Sequence, residues 1–245
     1  MEQDMNTNPT MNLKSIYKIG AIAVLLQLAA VLALLIGTVA LNLGPRPATV
    51  LESFTVYQEN RLVGLLRDDF SSLVLIALYL GWIPAIYFAL RKQNFTIALF
   101  STMMVLVGVA VAFATHSSFS MMHLSDLYAA ATSEAQRSHL LSAGEAVLAS
   151  DLWNATGGYL GGILLQGSGV LISFVMLRGK NFSKITAISG LLGNGLDLIQ
   201  HLLHPFVPGI EGLIQPVMGI FYLVWFPMLA RDLLRLARRE ENGGH

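Results

Sequence analysis

Apolar positions in this chain do not alternate with polar ones; they gather into runs at residues 19–41, 70–90, 95–115, 155–177, 185–203 and 213–230. A helix of about 20 apolar residues crosses roughly 30 Å of hydrocarbon. An open sheet would leave backbone groups unpaired in lipid, so each run is expected to be a helix. The pattern predicts an all-α fold, a polytopic transmembrane bundle of six helices forming a single membrane domain over residues 1–245. Two of the intervening segments, 44–69 and 116–154, are long enough to fold, and amphipathic helices are expected in both. In the second, Ser133 followed by Gln136 matches a capping box. Leu140, Leu141, Val147, Leu148 and Leu152 then recur at helical spacing, so this helix is expected to run into the fourth span.

Composition supports the same class. Apolar residues make up 54% of the chain and charged residues 12%, about half the roughly 25% of a soluble domain. The lipid bilayer is therefore the expected partner. With zero net charge and no long basic tract, nucleic acid is not. The absence of cysteine removes disulfides and thiolate metal ligands. The first run follows Lys14 and Lys18 like a secretory signal, but it exceeds the roughly 7 to 15 apolar residues of one and is read as a retained span.

Charge also orients the bundle. Six alternating crossings place eleven of the 15 basic residues on one side: Lys14 and Lys18; Arg91 and Lys92; Arg178, Lys180 and Lys184; Arg231, Arg235, Arg238 and Arg239. By the positive-inside rule that side is cytoplasmic, which puts tails 1–18 and 231–245 in the cytosol and the chain in the cytoplasmic (inner) membrane. The fourth span reads GGYLGG at 157–162, overlapping small-xxx-small pairs that let helices approach closely. A phosphate-cradling loop would need a strand and a helix start in water, which this context does not offer. Pro84 and Pro216 read as kinks within their spans.

Candidate chemistry concentrates in the fifth span. At about 100° per residue, Gly190, Gly193, Asn194, Asp197, His201 and His204 share a sector roughly 100° wide. Such a stripe must face protein or water, because a carboxylate in lipid is expensive. His116, Asp69, Glu145 and Asp151 are expected at the same outer level. Two readings follow. Asp197, His201 and His204 with His116 could hold zinc, Asp197 or Glu145 serving as the catalytic carboxylate and Asp69, Asp151 and Asn194 contacting a ligand or partner. Alternatively, no cofactor is bound and these residues hydrogen-bond between helices. A bis-histidine haem on His116 and His201 is a lesser variant.

Two resemblances bear on function. The Asp/His set is similar to that of the membrane ceramidase and progestin-receptor superfamily, which holds zinc with Asp and His. This chain departs from it in having two residues between His201 and His204 rather than three, and six spans rather than seven. The segments RLVGLLRDDF at 61–70 with ALY at 77–79, LSDLYAAAT at 124–132, EAQR at 134–137, AGEA at 143–146, VMLR at 175–178 and FSK at 182–184 resemble a bacterial family of six-span membrane proteins of unknown function. That resemblance implies a helical bundle and assigns no reaction. The expected function is thus non-enzymatic binding of a lipid, another ligand or a membrane-protein partner, with a metal-dependent membrane hydrolase as the alternative. A small-solute transporter comes third, since no internal repeat is visible.

Overall fold

The structure is a computed structural model describing residues 12–40, 43–44, 46–68, 70–150, 155–207 and 209–242. Every regular element among them is a helix: α1 (Leu13–Ala40), α2 (Val50–Glu59), α3 (Arg61–Arg67), α4 (Phe70–Ala77), α5 (Tyr79–Leu90), α6 (Phe95–Ala114), α7 (Ser118–Ala130), α8 (Glu134–Ala149), α9 (Thr156–Arg178), α10 (Lys184–Leu203) and α11 (Ile210–Asn242). Side chains set several starts. Asn94 and Ser183 accept from the backbone N–H groups of Ile97 and Thr186, satisfying donors that a helix leaves open. Ser133 and Gln136 close the expected capping box at the start of α8.

Among the described residues, five stretches are long and apolar enough to cross a membrane: Leu13–Gly37, Phe70–Leu90, Phe95–Ala130, Thr156–Arg178 and Ile210–Asn242. The fold is that of a multi-pass membrane protein. The expected fifth span, α10, is 20 residues long, but Asn194, Asp197, Gln200 and His201 dilute its hydropathy.

The long helices close on themselves. α1 packs on α5, α5 on α6, α6 on α9, α9 on α10, α10 on α11 and α11 back on α1, making a six-helix ring. Lys14 meets Glu241 at 2.7 Å, so the start of α1 and the end of α11 share one end of the ring. Near that basic end the interior is solid: Val24, Trp82, Ile86, Leu90, Ile172, Met176, Trp225, Leu229 and Leu233 are fully enclosed. Toward the opposite end the ring loosens. Among the described residues, the buried positions of α1 stop at Gln27 and those of α11 begin at Trp225, so the far halves of these two helices part.

Helices α2, α3, α7 and α8 form a separate cap around Val50, Phe54, Tyr57 and Met121. Ser125 donates to the Phe54 carbonyl at 2.9 Å, and the Tyr57 hydroxyl to Asp68 at 3.0 Å. Residues 151–154 lie outside the described residues, and with them the expected junction of α8 with the fourth span.

Two elements differ from expectation. The second span is interrupted at Leu78, between α4 and α5, while the helices continue through Pro84 and Pro216. Gln27 stabilises the interruption: its amide N–H donates to the Leu75 carbonyl at 3.3 Å, and its oxygen accepts from Trp82 Nε1 at 2.8 Å. The last helix runs on to Asn242, beyond the expected end at residue 230. Asp232, Leu233, Leu236 and Ala237 are buried at helical spacing, so packing carries the helix through the charged stretch.

Candidate functional site

Where the ring loosens it encloses a chamber of about 580 Å³, within the roughly 300 to 1,000 Å³ of small-molecule sites. Its walls are mostly apolar: Val31 and Leu35 from α1, Leu75 and Ile76 from α4, Leu165 from α9, and Ile220, Leu223 and Phe226 from α11. The chamber opens between α1 and α11, where the lining residues Leu35 and Ile220 are 58% and 63% exposed. That opening lies among outward-facing apolar side chains, including Leu32, Ile36, Leu213 and Val217.

Polar groups gather deep inside. Asp197 lines the chamber and is buried; its Oδ2 accepts from the Tyr222 hydroxyl at 2.9 Å. Its Oδ1 lies 3.2 Å from His201 Nδ1, and the same nitrogen is 2.9 Å from the Asp197 backbone carbonyl. Flanked by two acceptors, Nδ1 carries the proton. Gln166 Oε1 and Asn194 Oδ1 approach the same Tyr222 hydroxyl at 3.1 and 3.4 Å. Beneath them lies an aromatic floor: Tyr222 stacks on Phe226 at 5.6 Å, Trp225 meets Trp82 edge-on at 5.9 Å, and Trp82 meets Tyr79 at 4.7 Å.

Glycine makes this arrangement possible. A Cβ on Gly162 would sit 2.0 Å from His201 Cδ2, and one on Gly169 would sit 2.1 Å from Asn194 Oδ1. The glycine stripe of α9 therefore seats the polar side chains of α10, which is the packing role expected for it.

The sequence candidates separate into groups. Asp197, His201 and Asn194 converge at the chamber, whereas His204 lies 3.7 Å from Glu211. His116 sits between α6 and α7, its ring nitrogens buried and without hydrogen-bond partners among the described residues. Glu145 is exposed on α8, which packs on α2 and α7. Asp69 and Asp151 lie outside the described residues. No group of three His, Asp or Glu side chains converges among those described. Of the zinc candidates, Asp197 and His201 are the two that meet among the described residues.

Several chamber residues escape a sequence reading. Gln27, Gln166 and Gln200 each interrupt an apolar run, a signal that the cost of a polar group in lipid makes visible. Tyr222 carries no such signal, and only the approach of α11 to α10 gives it a role. Asp232, 1% exposed at the basic end, was equally hidden beside the arginines.

Ring, chamber and apolar exterior together define an all-helical, multi-pass membrane protein with an enclosed polar site. Comparison with family models, curated proteins and solved structures found no match.

Proposed function

We propose that the chain crosses the cytoplasmic membrane six times, with both ends in the cytosol, and binds one lipid-like amphiphile in the chamber. The observation that carries this reading is the chamber itself: apolar walls, a mouth between α1 and α11 at lipid-facing positions, and a polar cluster inside. A molecule with one polar head and one apolar tail complements that layout, and it can arrive sideways from the bilayer without crossing water. Binding is favoured over catalysis because the acid–base pair that meets among the described chamber residues is Asp197 with His201. The count of six is supported by parity. With Lys14 beside Glu241, α1 and α11 have their outer ends on one side, which an odd number of crossings cannot produce. α10 is the remaining ring helix and makes the number even. The resemblance to six-span bacterial membrane proteins agrees with this count.

The test fills the chamber without disturbing its walls. Gly219 lines it, and a side chain begun there meets nothing within 4 Å. Wild-type protein in phosphatidylcholine nanodiscs is expected to bind a pyrene-labelled fatty alcohol saturably. Gly219→Phe should weaken that binding by at least about tenfold while leaving the melting temperature unchanged. Equal binding by the two proteins would remove the chamber from the function.

A further inference from the structure

Hydrogen-bond donors and acceptors are unevenly matched in the chamber. The Tyr222 hydroxyl has one proton and three acceptors in reach: Asp197 Oδ2 at 2.9 Å, Gln166 Oε1 at 3.1 Å and Asn194 Oδ1 at 3.4 Å. Asn194 cannot turn to donate, because its Nδ2 is engaged with the Gly190 carbonyl at 2.8 Å. That proton serves one of them at a time, although Asp197 also meets His201 Nδ1 at 3.2 Å and Gln166 is hydrogen-bonded to the Tyr79 hydroxyl. A fourth acceptor, Gln200 Oε1, belongs to a chamber-lining side chain that is 1% exposed, and it has no partner among the described residues. A buried acceptor without a partner, beside others that share a single hydroxyl proton, calls for a donor from outside the protein.

Charge points the same way. Asp197 faces a largely apolar cavity, and among the described lining residues there is no Lys or Arg; the basic side chain beside it is His201, 3.2 Å away. A carboxyl group buried this way favours a cationic partner. Tyr79, Tyr222 and Phe226 also line the cavity, and their ring faces attract cations. Depth is suitable as well. Asp197 lies six residues before the end of α10 at Leu203, about 9 Å at 1.5 Å per residue, within reach of a head group that starts near the membrane boundary.

From these observations we infer that the chamber takes a cationic amphiphile with a primary ammonium head. The ammonium lies between Asp197, Gln200 and the surplus amide oxygens, and the chain extends toward the mouth between α1 and α11. This rests on the chamber reading given above. A fatty alcohol would satisfy one acceptor but not the charge. A fatty acid anion would oppose it. A His201 that carried the countercharge itself would make alcohol and ammonium equivalent.

The experiment compares dodecylamine, dodecyltrimethylammonium, dodecanol and dodecanoate as displacers of the pyrene-labelled alcohol. Protein is held in phosphatidylcholine nanodiscs, and nanodiscs bearing Gly219→Phe correct for partition into the bilayer. Dodecylamine should displace at concentrations about tenfold or more below dodecanol and dodecanoate. Asp197→Asn should abolish that preference while dodecanol still binds. Gln200→Leu should weaken dodecylamine several-fold and leave dodecyltrimethylammonium, which donates no hydrogen bond, unchanged. If Asp197→Asn does not fold, the wild-type series and Gln200→Leu still decide. Equal displacement by all four, or a preference for dodecanoate or dodecanol, overturns the ammonium assignment and leaves amphiphile binding intact. Failure of all four to bind in a way that Gly219→Phe removes overturns the chamber reading itself.

Discussion

A buried carboxylate and a buried glycine organise this protein at the scale of single residues. Asp232 accepts from the Ser183 backbone N–H and the Thr186 hydroxyl, both at 2.7 Å, and lies 3.2 Å from Arg235. It pins the start of α10 to α11. Asp232→Ala leaves the Ser183 N–H without its acceptor and the Thr186 hydroxyl with only Ser183 Oγ at 2.8 Å, which should cost about 1–3 kcal/mol. Asp232→Asn, which keeps one acceptor, should cost less. Thermal melts in mild detergent check the order, and identical melting temperatures would refute the role. Gly162 is the other critical position, because any side chain there enters the space of the His201 ring. Gly162→Ala should destabilise by about 1–3 kcal/mol through overpacking. Adding His201→Ala should recover most of the loss, a coupling that a double-mutant cycle measures directly.

At the scale of elements, the helix in question is α10. Its apolar positions suffice for a span only if its polar stripe is enclosed, and α9 and α11 enclose it: Asn194, Asp197 and Gln200 are all buried. Hydropathy counts side chains without asking which way they point, whereas the cost of a carboxylate in a membrane depends on whether it faces lipid. Because the chain has no cysteine, single substitutions can report the two ends of α10 cleanly. Phe206→Cys, at a position 77% exposed, should react with a membrane-impermeant maleimide on intact cells. Lys180→Cys, between α9 and α10, should react only after permeabilisation. Labelling of both from the same side would mean that α10 does not cross.

Over the whole molecule, the ring divides into a solid half and a hollow half. Among the described residues the buried positions of α1 lie toward the basic end, where small residues such as Gly20 and Ala23 admit close approach of α5. A Cβ on Gly20 would lie 2.4 Å from that of Ala85. In the far half Val31 and Leu35 of α1 face Ile220 and Leu223 of α11 across the chamber. The ion pair between Lys14 and Glu241 ties the ends of α1 and α11 together, and it makes the side of one the side of the other. A reporter fused after His245 should therefore be active only in its cytoplasmic form, as should one fused before Met1. Opposite sides for the two fusions would contradict an even number of crossings.

Hydropathy along the chain was enough to determine the class and most of the helices, because an apolar run of membrane length has no other low-energy solution. α6, α9 and α10 begin and end within a residue of the expected spans. The capping box of α8 was equally legible, since its partners are three residues apart. What the sequence left open is what depends on neighbours distant along the chain. The interruption at Leu78 is held by Gln27, 48 residues from its acceptor at Leu75. Asp197 stood out because a carboxylate in an apolar run is conspicuous, but its partner Tyr222 is 25 residues away and unremarkable in sequence. His201 and His204 looked equivalent on a helical wheel, yet one turns to Asp197 and the other toward Glu211. Periodicity reports the face a residue occupies; only the packing of α9, α10 and α11 decides what that face meets.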